Sequence, residues 1–484
     1  MTPLHPPAAD TPLHATAASR AIEARQLAAH APGALMARAG LAVAKLALVL
    51  APQGRSAWVL AGPGHNGGDG WVAARHLHAC GWAVCVVTAA DPARLPPDAA
   101  AARTAALAAG VPWQTEWPAG TPDLLIDALL GLGQTRAPEG AIAASVARIN
   151  ALPAPVLAVD VPTGLDDTRG VRLGTEAVRA SATLTLLTAK PGLFTAEGRD
   201  HAGTVWHDAL ATADAAPPDA WLTGRSTALA ARPLRQHRDH KGRFGDVWVI
   251  GGDAAMAGAG ALAARAALQA GAGRVFVAGP AHPSLPPDVM TPAAGAWHVP
   301  GVAEAATVVA GCGGGGAVAT VLPEALARAG RLVLDADALN AIAADAALAA
   351  QLSARQQPTV LTPHPLEAAR LLSLTAAAVQ ADRLAAAQAL AQRYGATVVL
   401  KGSGSVVAAP GAVPFINPTG NARLAVPGSG DVLAGWLAGL WAQQTDADAQ
   451  RLAAGAVWWH GAAAAAGPAD APFSASALVA ALGT

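Results

Sequence analysis

The chain has 484 residues, 53% of them hydrophobic and only 13% charged, with 51 glycines and a formal net charge of −1. So many apolar residues exclude a disordered polyelectrolyte, and the balanced charge leaves no basic footprint for nucleic acid. Three cysteines, Cys80, Cys85 and Cys312, show neither metal-ligand nor redox spacing, which points to a reducing, cytoplasmic compartment rather than a disulfide framework.

The opening MTPLHPPAADTPLH has no basic start and no apolar core, so it does not read as a signal peptide; residues 1–18 are expected to form a mobile tail. A first domain is expected over 19–212. Within it SAWVLAG, AVCVVTA, DLLIDALLG, PVLAVDVPTG, ATLTLLTAK and GTVWHDAL read as strands, with helices VAARHLHACG, AAARTAALAAG and AASVARINAL between them. Residues 213–235 are polar, proline-bearing and without period, and are expected to be a linker. A second alternation over 236–484 runs through DVWVIGG, AGALAARAALQAGAG, RVFVAGP, RLVLDADALN, TVLTPHP, ATVVLKGSGSVVA and GDVLAGWLAGLWA. Strands alternating with helices imply two α/β domains, each a mainly parallel sheet covered on both faces. Mean hydropathy is +0.34, but the long uncharged runs Ala305–Pro323 and Leu452–Ala469 consist mostly of small residues and read as buried segments, so no membrane association is expected.

Chemistry gathers first at AGPGHNGGDG. Gly62–Gly67 fits the G-x-G-x-x-G fingerprint between a strand and a helix, but the run continues into Gly68-Asp69-Gly70 and so places a carboxylate in a phosphate-type loop. Two later strands end in similar punctuation, Asp127 with Gly131 and Gly133, and Asp160 with Thr163 and Asp166. Each segment alone reads as a turn or cap. Three in order at successive strand ends read as one crevice whose oxygens suit a hard cation and whose glycines admit phosphate.

GPGHNGGDGWVAARHL, DALLGLG, AVDVPTGLD and TAKPGL, preceded by LMARAGLAVA, together resemble the NAD(P)H-hydrate epimerase family over about residues 20–210. The resemblance implies a Rossmann-like doubly wound sheet, interconversion of the two epimers of a hydrated nicotinamide ring, and a bound potassium ion. It assigns substrate contacts to His65, Asn66, Gly67, Gly68 and Asp69, to Gly131, Leu132, Gly133, Gln134, Thr135, Arg136 and Ala137, and to Asp160, which is also the acid/base candidate. Asn66, Asp127 and Thr163 would hold the potassium. Epimerisation needs a positioned proton acceptor and donor, and a crowded acidic crevice is expected to raise the pKa of a carboxylate such as Asp160. The chain departs from the family at His65, where asparagine is usual, at Thr163, which replaces serine, and at Ala37, which replaces a common glutamate.

In the second half, AVPGSGDVLAGWLAGLWA places Gly428-Ser429-Gly430 before a helix expected to open at Asp431, an anion hole backed by the helix dipole with a carboxylate at its mouth. By itself this reads as an aspartate cap on a buried helix. HKGRFGDVWVIGG, GAGALAARAALQAGAG, LDADALN, LTPHPLE and VLKGSGSVV occur in this order with it. The set resembles the ADP-dependent NAD(P)H-hydrate dehydratase family, a branch of the ribokinase-like fold, over about residues 236–465. By that resemblance Lys401, Gly402, Ser403, Gly404, Ser405 and Gly430 would hold the adenine nucleotide. Ala259, Gly313, His364 and Asp431 would contact the hydrated dinucleotide, with Asp431 as base. Magnesium is expected alongside the ADP or ATP co-substrate. Here the chain departs at Val426-Pro427, which replace a Thr-Gly pair; at GCGGGG (311–316), which replaces Gly-Pro-Gly-Leu-Gly; and near Ala464, where an aspartate is usual. Trp458-Trp459 read as packing, and Tyr394 has no motif around it.

The two resemblances together imply a bifunctional repair enzyme for hydrated NAD(P)H, acting on NAD(P)HX and an adenine nucleotide. A ribokinase-like small-molecule kinase fused to a nucleotide-binding domain, or a first domain that only binds ligand, are the alternatives. So much apolar surface leads us to expect a homo-oligomer.

Overall fold

The computed structural model describes residues 1–213, 216–278, 285–293, 295–465 and 473–483. The chain divides into two compact units, one of residues 1–5 and 11–220, the other of residues 6–10 and 221–484. Both stretches expected to lack structure carry some. Thr2–Pro3 pairs antiparallel with Trp206–His207, and the helix Thr16–Ala29 starts inside the expected tail. Asp10 accepts hydrogen bonds from Gly224 N and Thr227 Oγ1, both at 2.8 Å. In the expected linker, Trp221 and Leu222 pair with Phe415 and Ile416, and Arg225–Ala230 is helical. Backbone pairing and a buried-strand partner override the polar composition of these segments.

In the first unit the strands lie in the order Thr2–Pro3, Thr204–Asp208, Ala182–Leu186, Val156–Val159, Leu124–Ala128, Ser56–Ala61, Ala83–Val87, Trp113–Gln114. All but the first are parallel to their neighbours. Counted from Ser56–Ala61, this is the doubly wound order whose direction reverses between that strand and Leu124–Ala128. The central strands Leu124–Ala128, Val156–Val159 and Ala182–Leu186 are buried on both faces, as their near-continuous apolar runs require. Val59 and Ala61 pack with Trp71, Ala74 and Leu77 on one side, while Trp58 and Leu60 pack with Val146 and Ile149 on the other.

The second unit has the order Arg274–Ala278, Asp246–Ile250, Thr307–Ala310, Arg331–Leu334, Thr359–Leu361, Thr397–Leu400, Val406–Ala408, Phe415–Ile416, Ala220–Leu222. The first six are parallel, and Val406–Ala408 is antiparallel to both neighbours. Its reversal lies between Asp246–Ile250 and Thr307–Ala310. Val247, Val249, Val309 and Val333 pack under Ser429–Ala442, a helix apolar all round and buried from Val432 to Ala442. The opposite face buries Trp248, Ile250, Leu332 and Leu361.

The uncharged runs resolve as expected. Ala305–Pro323 contains the strand Thr307–Ala310 and the start of the helix Val318–Arg328; Leu452–Ala469 lies mostly in the helix Ala449–Ala464, with 466–469 outside the described residues. Among the described residues no single helix is long and apolar enough to cross a membrane. Trp458 and Trp459 meet edge to face with centroids 5.2 Å apart, and Trp459 Nε1 donates to Ala228 O at 2.7 Å, which is packing.

Candidate functional sites

At the reversal of the first sheet lies a cleft of about 850 Å³. It gathers His65, Asn66, Asp69, Gly131, Leu132, Gly133, Gln134, Thr135, Arg136, Ala137 and Asp160 from beyond the ends of the strands Ser56–Ala61, Leu124–Ala128 and Val156–Val159. The glycine-rich loop gives way directly to the helix His65–Ala79, so Asn66 to Asp69 occupy its first turns and the start of that helix, Gly64 to Asn66, lines the cleft. Gly67 and Gly68 do not line the cleft, because they are the packing contacts of that turn. A Cβ on Gly67 would stand 2.1 Å from Gly62 O, so the turn closes only around glycine.

Asp160 sits at φ 67°, a conformation costly for a residue with a side chain and frequent at functional sites. Its amide donates to Leu184 O at 2.8 Å, and its Oδ1 accepts from Leu186 N at 3.1 Å. The same Oδ1 takes the Lys190 ammonium, which also donates to Leu186 O at 2.8 Å. Lys190 is 1% exposed and divides its bonds between Asp160 and Leu186 O. Asp160 therefore meets a cation within the acidic crevice anticipated from the sequence. It is Asp69 that burial holds well above the usual carboxylate range, with the charges of Asp160 and Glu23 adding to the effect.

Asp127 and Thr163 lie beneath the cleft and are fully buried. Thr163 Oγ1 and N donate to the two Asp127 oxygens at 2.8 and 2.9 Å, and Leu129 N adds a bond at 3.2 Å. Burial nonetheless pushes Asp127 up to about 6, against the lowering effect of those bonds. Asn66 is buried, and its Nδ2 has no partner among the described residues. A loop-forming residue not singled out from sequence, Asp167, accepts from Gly133 N at 2.6 Å and so shapes the Gly131–Ala137 segment.

In the second unit the sheet's strand ends build a polar cluster under the start of Ser429–Ala442. That helix opens at Ser429, with Gly428 left-handed at φ 87°, two residues before the start expected from sequence. The αL glycine ends the preceding turn, so Ser429 N still bonds Val426 O at 3.3 Å and Asp431 falls inside the first turn. Lys401 donates to Asp335 Oδ1 at 2.6 Å and lies 3.9 Å from Glu367 Oε2. A Cβ on Gly430 would stand 3.1 Å from Lys401 Nζ, so these two expected nucleotide contacts are adjacent. Gly402 to Ser405 follow the same strand, Thr397–Leu400. Ser405 Oγ donates to Gly402 O at 3.1 Å, closing the loop that also contains Ser403 and Gly404.

Gly313, at φ 57°, comes against Ala259, whose Cβ would be 2.8 Å from a Cβ added there. His364 caps the helix Pro365–Leu372: its Nδ1 accepts from Leu366 N and Glu367 N at 3.1 and 3.3 Å. Burial raises Asp431 to about 6, the neighbouring Asp335 charge adding to the rise and the thiol of Cys312 and the charge of Lys401 opposing it. Near the missing aspartate, Ala464 O accepts from Arg423 Nη1 at 3.0 Å.

Lys190, Cys312 and Asp335 were not named as site residues from sequence, although TAKPGL, GCGGGG and LDADALN contain them. Their signal is position: each follows a parallel strand within a few residues.

A family profile described as NAD(P)H-hydrate dehydratase matches residues 247–481, and one described as YjeF-related protein N-terminus matches residues 32–192. The chain is 38% identical over 433 residues to a bifunctional NAD(P)H-hydrate repair enzyme Nnr of Escherichia coli (strain K12), covering 85% of this chain and 81% of that one. It is 38% identical over 470 residues to the protein of the same name in Gloeobacter violaceus, covering 91% of each. Among solved structures, an ADP/ATP-dependent NAD(P)H-hydrate dehydratase from Bacillus subtilis co-crystallised with ATP/Mg2+ is 26% identical, with a TM-score of 0.44 over 53% of this chain and 94% of that one.

Proposed function

The chain belongs to the family of bifunctional NAD(P)H-hydrate repair enzymes, and on that premise we propose how its two units divide the work. The first unit interconverts the R and S epimers of hydrated NAD(P)H. The second dehydrates the S epimer to NAD(P)H at the expense of ADP or ATP. The observation that carries this reading is that each sheet reverses its strand order at its own cluster of carboxylates, in the place where open α/β sheets bind ligands.

In the first unit Asp160 takes the proton of the ring hydroxyl as that oxygen forms a carbonyl, the C–N bond beside it breaks and the ring nitrogen takes up a proton; closure on the other face of the carbonyl reverses each transfer. Lys190, itself fixed on Leu186 O, holds that carboxylate in one orientation. Asp69, whose carboxyl burial raises above the usual range, is the complementary donor. The glycine loop and the Gly131–Ala137 segment would cradle the dinucleotide's phosphates with backbone N–H groups.

A potassium ion fits the floor of this cleft. Asp127 is a buried carboxylate with no cation partner among the described residues, Thr163 Oγ1 accepts from Leu130 N and keeps one lone pair, and the buried Asn66 would offer its side-chain oxygen. These three residues would hold it, and when bound it supplies a fixed positive charge under the phosphate loop.

In the second unit Asp431 takes the proton of the ring hydroxyl while that oxygen bonds the terminal phosphorus of the nucleotide and the leaving nucleotide oxygen departs. The phosphate then leaves with its C–O bond, and loss of a proton from the adjacent ring carbon restores the double bond. Lys401, Gly402 to Ser405 and Gly430 would face the nucleotide, and Ala259, Gly313 and His364 the hydrated ring. Magnesium would accompany the nucleotide and spread its phosphate charge. Both reactions belong in the cytoplasm, in a self-associating enzyme without membrane or nucleic-acid partners.

The test is to incubate the protein with both NADHX epimers, ADP or ATP, Mg2+ and K+, and to follow NADH absorbance. Full conversion, faster than spontaneous epimerisation, is expected. Conversion of only the S fraction overturns the epimerase assignment. No NADH at all overturns the whole reading in favour of a small-molecule kinase.

A further inference from the structure

Cys312 stands in the Gly311–Gly316 loop, the one residue with a reactive side chain in a run of glycines. It is fully buried, but not among apolar atoms alone: its Sγ and carboxylate oxygens of Asp335 and Asp431 lie within 4.8 Å of one another. The loop is pinned on both sides of the thiol. Cys312 O accepts from Gly252 N at 3.0 Å, and Gly313 O accepts from Asp253 N at 2.7 Å.

The bonding of the cluster directs the thiol hydrogen. Asp335 Oδ1 is committed to Lys401 Nζ at 2.6 Å and to Thr362 Oγ1 at 2.8 Å. An Asp431 carboxylate oxygen in the same 4.8 Å cluster is the acceptor toward which the thiol can turn. Burial, and after it the charges of Asp431 and Asp335, hold the thiol well above its ordinary range, so it is a donor and not a thiolate. A buried, protonated thiol is inert as a nucleophile and poor as a metal ligand, which argues against a redox or metal role.

Accepting Asp431 as the base of dehydration, we infer that Cys312 is a positioning residue for it: the S–H bond orients the Asp431 carboxylate toward the substrate hydroxyl and stabilises its ionised form. The other groups bearing on Asp431 are the charges of Asp335, Asp337 and Lys401. Beyond them lie Glu367, at 3.9 Å from Lys401, with the His364 ring against it, and His460, whose Nε2 is 2.9 Å from Ser429 O. Lys401 also feels the thiol, so the return of the profile in a variant that restores a donor, and not the shift alone, isolates its role.

The experiment measures dehydration of purified S-NADHX with ADP and Mg2+ between pH 5 and 8, using the full-length protein and its epimerase rate as the folding control. Cys312→Ala is expected to move the acid limb of kcat/KM upward by about half to one pH unit, a threefold to tenfold loss at pH 5.5 with little change at pH 8. Cys312→Ser, which restores a donor, is expected to return the limb to its wild-type place. An unmoved limb in Cys312→Ala, or a Cys312→Ser profile shifted like that of Cys312→Ala, overturns the inference. Should the alanine variant not fold, Cys312→Val, close in size and without a donor, is read in the same way. Asp431→Asn separates the two levels: if it still dehydrates, the base assignment itself fails, whereas a dead Asp431→Asn with an unmoved Cys312→Ala limb sinks only the role of the thiol.

Discussion

Replacing Lys190 by methionine keeps the length of the side chain and removes its charge. Asp160, 8% exposed, would then keep only the Leu186 amide on its Oδ1. Breaking one side of a buried ion pair costs about 3–5 kcal/mol. Asp160 lines an open cleft where water can reach it, so the lower end, about 3 kcal/mol, is expected. Asp160→Asn leaves the ammonium buried on Leu186 O alone and is expected to cost a similar amount. Were the residues independent, the double variant would lose about 6 kcal/mol; as a pair, Lys190→Met with Asp160→Asn should lose little more than either single change, a coupling of about 2–3 kcal/mol. Native-state hydrogen exchange of the amides in Leu124–Ala128 reports the first unit alone and avoids assuming a two-state transition for the whole chain. Additivity within about 0.5 kcal/mol would falsify the claim that Lys190 acts through Asp160. All three variants should lose epimerisation and keep dehydration of pure S epimer.

Asp431→Asn is expected to abolish dehydration and spare epimerisation; loss of both in a folded protein contradicts the division of labour. Since Asp431 titrates near 6 and must be ionised to act, wild-type dehydration should fall about tenfold per pH unit below that value, and a flat profile down to pH 5 counts against it. Asp127 supplies a stability test. Its folded pKa, about 6, lies above the unfolded value, so its contribution is full below about pH 4 and is lost as pH rises through 6. In potassium-free buffer the thermal midpoint of the first unit should therefore fall between pH 5 and 7.5, and potassium should raise it more at 7.5 than at 5. Equal shifts at both pH values would remove Asp127 from the potassium site. Gly67→Ala, with its Cβ 2.1 Å from Gly62 O, should cost about 1–3 kcal/mol and at least tenfold in epimerisation, while Gly64→Ala, with nothing within 4 Å, should leave stability unchanged.

Much of this enzyme is legible without coordinates because its signals are local. Alternation of apolar runs with helical stretches sets two α/β units, and the turn residues after each strand mark where polar groups leave the sheet. Asn66, Asp69, Asp127 and Asp160 were found in that way, as was the phosphate-type opening of the helix at Gly428–Asp431. The misplaced helix start shows the limit of the method. Whether the helix begins at Ser429 or Asp431 depends on the left-handed turn at Gly428, which composition does not specify.

What the sequence determined by itself was the set of strand-end loops and the residue types they carry. Which loops become neighbours was decided by strand order. The reversal beside Ser56–Ala61 sets Asp127 next to the Asn66 loop, and the parallel step to Ala182–Leu186 brings Lys190 back onto Asp160 from 30 residues away. In the second unit the same logic joins Cys312, Asp335, Lys401 and Asp431, which share no spacing along the chain. Burial then set their chemistry, raising Asp69, Asp127 and Asp431 while pairing Asp160 with a lysine, because the free energy of a charge depends on the groups and water around it and not on its neighbours in sequence.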